Sequence, residues 1–82
     1  MPNLEIRGVP LATVERLNRA RTIPLDRYRE DGAIDRFGYL ESLAADHGVE
    51  FDTVLTLVDV LGPEEDFDGL VTSLEDFAVG GF

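Results

Sequence analysis

The stretch from Leu40 to Glu75 constrains the fold most, because apolar residues recur in it at three- and four-residue spacings. This period matches one buried face of an α-helix. We predict helices over Ala33 to His47, Glu50 to Leu61 and Pro63 to Ala78. The β-branched residues of the second segment also allow a buried strand, but its helix-like length between glycines favours a helix.

A short alternating segment precedes these helices. Between Asn3 and Val9, apolar and charged residues alternate, which indicates a short β-strand. Pro10 suits the first position of a helix, which we predict to run from Pro10 to Ala20. Thr22 to Gly32 holds a proline and an Asp-Gly pair, so we predict a connection there, with room for one short helical turn.

The chain as a whole is predicted to be mostly α. We expect one small domain over residues 1–82, with a strand or arm over 1–9 and a helical body over 10–82. The architecture is a compact four-helix domain with a short N-terminal β-strand and a helix-turn-helix-like centre. The chain has no cysteine, so apolar burial, alone or shared with a second copy, must stabilise it.

Charge is divided unevenly along the chain. The formal net charge is -10, and the seven basic residues are all arginines within the first 36 positions. From Phe37 onward there are eleven acids and no base except His47. One interpretation is a protein adapted to high salt; the other is a surface that attracts a basic partner.

We therefore predict a small acidic protein-binding module, regulatory or adaptor in kind, that binds a basic protein or self-associates. Its predicted face consists of outward acids from the predicted helices. These are Asp46, Asp52, Asp59, Glu64, Glu65, Asp68, Glu75 and Asp76.

The N-terminal residues suggest a second class of function. The sequence NLEIRGVP followed by a helix, with Ile23 to Tyr28 after it, resembles the start of ribbon-helix-helix repressors and antitoxins. The resemblance covers about 30 residues and ends where Asp31-Gly32 interrupts the second helix. It implies a dimer whose paired strands read DNA bases through Asn3, Glu5 and Arg7.

The centre also resembles a helix-turn-helix motif. Its packing positions would be Ala44, Gly48, Val49, Val54 and Leu57. In that family the second helix enters the major groove, but here its outward side chains include Asp52 and Asp59. Carboxylates repel phosphates, so we do not expect nucleic acid to bind through this helix.

A third pattern resembles the calcium loop of the EF-hand. Glu64, Asp66, Asp68, Gly69 and Glu75 match its spacing. The resemblance implies a calcium site at Glu64, Asp66, Asp68 and Glu75. The same residues also suit an amphipathic helix, in which Phe67 and Leu70 would join the apolar stripe, and our main prediction includes no metal or cofactor.

Residues that carry catalysis are scarce. The chain has no cysteine, no lysine and one histidine, and its serines at Ser42 and Ser73 lie in predicted helices without a basic neighbour. We therefore expect no enzyme. No apolar run is long enough for a membrane span and no export signal is recognised, so we expect a cytoplasmic location.

Overall fold

The computed structural model describes residues 4–78, and the mostly α prediction is confirmed. A hairpin of β1 (Glu5–Ile6) and β2 (Val9–Pro10) comes first. The α-helices are α1 (Leu11–Arg19), α2 (Leu25–Glu30), α3 (Arg36–His47), α4 (Phe51–Leu61) and α5 (Gly69–Ala78), with a 3-10 turn at Pro63–Glu65. There are five α-helices in this part of the chain, one more than predicted, because the connection after Thr22 forms α2.

The N-terminal β-structure turns back on itself where we predicted one strand. Arg7 and Gly8 both have positive φ, at 50° and 83°. Two successive residues of this kind form the tight turn that suits a two-residue hairpin. Glu5 therefore pairs with Pro10 and Ile6 with Val9 in antiparallel register.

The helices α3 and α4 occur close to where periodicity placed them. α3 begins at Arg36 rather than Ala33, because the Asp35 side chain caps it and accepts a hydrogen bond from the Gly38 N–H at 2.8 Å. It ends at His47, and Gly48 caps it in the predicted left-handed conformation with φ 65°. The segment for which a strand was the alternative is the helix α4.

The predicted continuous helix from Pro63 to Ala78 is wrong in its first part. Pro63–Glu65 forms a 3-10 turn, and the α-helix begins only at Gly69. The N–H of Asp66 donates to Pro63 and that of Asp68 to Glu65, which are three-residue turns. At the interruption, the Asp66 backbone carbonyl accepts a hydrogen bond from the Tyr39 hydroxyl.

The core lies around α3, which packs against α1, α2, α4 and α5. Tyr28, from α2, is fully buried in it. The buried apolar side chains come from every helix: Val14, Leu17, Tyr28, Ala33, Phe37, Tyr39, Leu40, Leu43, Ala44, Val54, Val58, Leu70 and Leu74.

Candidate functional site

The predicted acidic face is contributed by α3, α4, the 3-10 turn with the residues after it, and α5. Of its eight members, all except the half-buried Glu65 are exposed: Asp46, Asp52, Asp59, Glu64, Asp68, Glu75 and Asp76. Exposure follows helix phase; in α4, for example, Asp52 and Asp59 lie opposite the buried Val54 and Val58.

Hardly any of this acidic charge is neutralised by a base. Within residues 4–78, one member of the face lies within ion-pair distance of an arginine: Asp59 Oδ1 is 4.0 Å from Arg16 Nη1. Both side chains are mostly exposed, so this pair contributes little. The face therefore presents its carboxylates to water.

The position of these acids on α5 also runs against helix electrostatics. Glu75 and Asp76 lie in its last turn, where carbonyl groups concentrate partial negative charge, and no base accompanies them. The last turn of α1, in contrast, carries Arg16 and Arg19. Helix stability therefore does not explain where the acids of α5 lie.

A second cluster of charge is buried in the core. Arg36 and Asp66 are 1% and 0% exposed and form a bidentate ion pair, with Nε–Oδ2 at 2.7 Å and Nη2–Oδ1 at 3.2 Å. The remaining Arg36 Nη1 donates to the Leu17 carbonyl at 3.0 Å. The pair therefore connects α1, α3 and the segment before α5.

Two tyrosines complete the cluster around Asp66. The Tyr28 hydroxyl donates to Asp66 Oδ2 at 2.6 Å, and the Tyr39 hydroxyl donates to the Asp66 backbone oxygen at 2.7 Å. Burial raises the pKa of both tyrosines well above the usual value of 10, so both hydroxyls stay protonated. In the described part of the chain no buried side-chain nitrogen or oxygen lacks a hydrogen bond.

An aromatic side chain covers this cluster. The Phe67 ring packs on Tyr39 and Tyr28, with centroids 4.5 and 4.8 Å apart. The Arg27 guanidinium lies over the outer face of Phe67, 4.0 Å from its centroid. Because its polar groups are paired and its rings are in contact, the cluster packs the helices against one another.

Sequence reasoning missed the role of Arg36. The signal was present, because Arg36 precedes Leu40 and Leu43 by four and seven residues and so shares the apolar face of α3. An arginine on such a face needs a buried acid. Several later acids were candidates, and the spacing along the chain does not single out Asp66.

The four residues of the calcium pattern are not brought together. Both carboxylate oxygens of Asp66 are bound to Arg36, and one also accepts from Tyr28. Glu64, Asp68 and Glu75 are exposed. Among the residues that the structure describes, no three acidic or histidine side chains are placed to hold a metal ion.

The three residues of the DNA-reading alternative are Asn3, Glu5 and Arg7. Asn3 lies outside the described residues, and Glu5 is exposed on β1. Arg7 stands in the hairpin turn, where its guanidinium binds Glu41, with Nη2–Oε1 at 2.6 Å. The hydrogen bonds with Glu41 raise the pKa of Arg7 above its usual range.

The helix-turn-helix positions serve packing between α3 and α4. Ala44 and Val54 are buried, and the Val49 N–H donates to the Ala44 carbonyl at 3.0 Å. Leu57 is partly buried against the core. The outward side of α4 is formed by Asp52, Thr56, Asp59 and Val60.

Two concavities lie near the N-terminal hairpin. One, of about 290 Å³, has Arg7, Asp35 and Glu41 in its lining, and these charges already bind one another or a nearby backbone or amide group. The other, of about 410 Å³, is mainly apolar and is lined by Leu4, Pro10, Leu11, Ala12 and Glu15. The acidic face lies outside both.

No helix within residues 4–78 is both long and apolar enough to cross a membrane. Models of protein families, curated proteins and solved structures give no match to this chain.

Proposed function

We propose that this protein is a small binding module without a catalytic site, which engages a basic polypeptide through its acidic face. The observation that carries the proposal is the exposure of seven of the eight acids, for which residues 4–78 provide one arginine, at 4.0 Å from Asp59, within ion-pair distance. Such a surface attracts a partner rich in arginine or lysine and speeds its encounter.

The cost of the acidic face supports this proposal. Exposed like charges on a small domain repel one another and favour the unfolded chain. Glu75 and Asp76 add to this cost, because they stand at the negative end of α5. A basic partner would remove both penalties on binding, whereas salt adaptation alone does not require the acids to lie in one half of the chain.

The proposal predicts binding that depends strongly on salt. Charges on an exposed face are screened as the Debye length falls from about 14 Å at 0.05 M to about 4 Å at 0.5 M salt. A fluorescein-labelled arginine-rich peptide, followed by anisotropy, is a suitable probe. Its affinity should fall steeply over this range, and an affinity unchanged by salt would contradict the proposal.

Two matched double variants distinguish binding through the acidic face from attraction that depends only on the total charge of the protein. Glu75→Gln with Asp76→Asn removes two charges from the acidic face, whereas Asp26→Asn with Glu30→Gln removes two exposed charges from α2. We expect a several-fold loss of peptide affinity and a weaker salt dependence for the first double variant, and little change for the second. Equal losses would mean that only the total charge matters and would overturn the proposal.

A further inference from the structure

The interruption before α5 lies where the buried cluster contacts the backbone. In a continuous α-helix the Asp66 carbonyl would accept a hydrogen bond from the Leu70 N–H. It accepts from the Tyr39 hydroxyl at 2.7 Å, and within residues 4–78 the structure gives no bond from the Leu70 N–H to this oxygen. Arg36 and Tyr28 hold the carboxylate of the same residue.

The interrupted segment is otherwise suited to an α-helix. Pro63 favours a first helical position, and the acids that follow it complement the positive end of the helix dipole. Phe67 falls on the apolar stripe that continues through Leu70 and Leu74. Gly69 opposes a continuous helix by only about 1 kcal/mol relative to alanine.

We propose that Asp66 is a conformational latch. While Tyr39 holds its carbonyl, residues 63–68 are wound as tight three-residue turns; when that bond opens, the same residues continue α5 toward its N-terminal end. The two windings differ in residues per turn, about 3.0 against 3.6, so the surface positions of Glu64, Glu65 and Asp68 change with the latch.

The latch has a consequence for any ligand of this surface. A ligand that contacts Glu64 or Asp68 together with Glu75 and prefers one winding shifts the equilibrium toward it. The latch itself does not depend on the proposed function, because it is a property of the backbone. Its test therefore measures the backbone conformation of residues 63–70. If the protein failed to bind a basic peptide, the latch proposal would be unaffected.

The test compares two tyrosine variants that each remove one hydroxyl from Asp66. Tyr39→Phe frees the backbone carbonyl, whereas Tyr28→Phe weakens only the contact to the carboxylate, which Arg36 still holds. We expect nuclear Overhauser contacts from the Asp66 Hα to the Leu70 N–H, diagnostic of an α-helix, in Tyr39→Phe and not in Tyr28→Phe or the unmodified protein. Helix extension in neither variant, or equally in both, would overturn the latch.

A third variant keeps the proposal testable if Tyr39→Phe does not fold. Gly69→Ala raises helix propensity without touching the buried cluster. Its new methyl group meets only Glu65, whose flexible carboxylate end, at 2.6 Å, must move aside, while Cβ and Cδ at 3.5 Å are ordinary contacts. We expect the same Asp66-to-Leu70 contact to appear in it at partial intensity. If residues 63–68 of Gly69→Ala keep their three-residue turns, the segment has no second winding and the latch is wrong.

Discussion

Residues 4–36 and residues 37–78 use charge in opposite ways. In the first region, α1 and α2 carry arginines in their last turns, where cations stabilise a helix. Arg19 and Arg27 also lie near acids four residues away, Glu15 and Asp31. In the second region the helices end without arginine or lysine, and most acids face water unpaired. The first region thus pairs many of its charges locally, whereas the second leaves most of its carboxylates exposed and without a base nearby.

The two regions meet through three ion pairs of unequal strength. Arg7 with Glu41 and Arg16 with Asp59 lie at the surface, where salt screens them. Arg36 with Asp66 is buried and bidentate. Arg36, the last arginine of the chain, therefore forms its ion pair inside the core. Disrupting this pair is the strongest test of how the two regions are held together.

The largest expected effect comes from removing one member of that pair. Arg36→Met leaves the Asp66 carboxylate buried without its cation, which should lower the free energy of unfolding by about 3–5 kcal/mol. Arg36→Met with Asp66→Leu removes both charges and should recover most of this loss. Urea denaturation measures both variants. A single variant that loses less than about 1 kcal/mol would show that the pair does not join the regions.

The tyrosines give the next largest effect, and it depends on pH. Burial raises the pKa of Tyr28 and Tyr39 in the folded protein above the unfolded value of about 10, so the neutral hydroxyls favour folding. Their contribution is complete below pH 10 and is lost as pH rises above it. The melting temperature should therefore fall above pH 10.

Absorbance provides a direct check of this prediction. The chain has two tyrosines and no tryptophan, so phenolate absorbance at 295 nm reports on this cluster alone. It should appear together with unfolding rather than as a separate titration near pH 10. A reversible phenolate signal near pH 10 in the folded protein would contradict the buried network.

The cap of α3 is expected to matter less. Asp35 accepts hydrogen bonds from the Gly38 N–H and from Asn18 Nδ2, at 2.8 and 3.1 Å. Asp35→Ala should therefore lower stability by about 1–2 kcal/mol. Asp46→Ala removes an acid of the second region from the same helix and should change stability far less. Thermal melts of the two variants measure the two losses of stability. Equal losses would show that the paired acid contributes no more to stability than the unpaired one.

Helix phase is the part of this molecule that the sequence predicts well. The positions of α3 and α4, the left-handed cap at Gly48 and the exposure of the acids on α4 all follow from local periodicity. The exposure of most of the acidic face was predictable for the same reason, because outward acids need only the correct helix phase. Glu65 is half-buried and lies in the 3-10 turn. The predicted continuous α-helix gave this residue the wrong helix phase.

The features that were missed depend on contacts between distant residues or on unusual turns. Asp66 meets Arg36 and Tyr39 across 30 and 27 positions of the chain, and no local pattern selects that acid among its neighbours. The hairpin depends on an arginine with positive φ, at Arg7, where asparagine or glycine is the usual signal. Both errors arise where tertiary contacts or turn geometry override local preference.

The smallest expected effect is a change in stability whose sign should differ between the two regions. Glu75→Gln with Asp76→Asn removes acids from the negative end of α5 and should raise stability by about 0.3–1 kcal/mol at low salt. Arg16→Gln with Arg19→Gln removes cations from the equivalent end of α1 and should lower stability by a similar amount. Both changes should shrink in 0.5 M salt, because screening weakens the dipole interaction. Thermal melts at two salt concentrations measure them, and a loss of stability in the first variant would mean that these acids stabilise the fold. A stability gain together with weaker peptide binding is the result expected if these acids serve a partner rather than the fold.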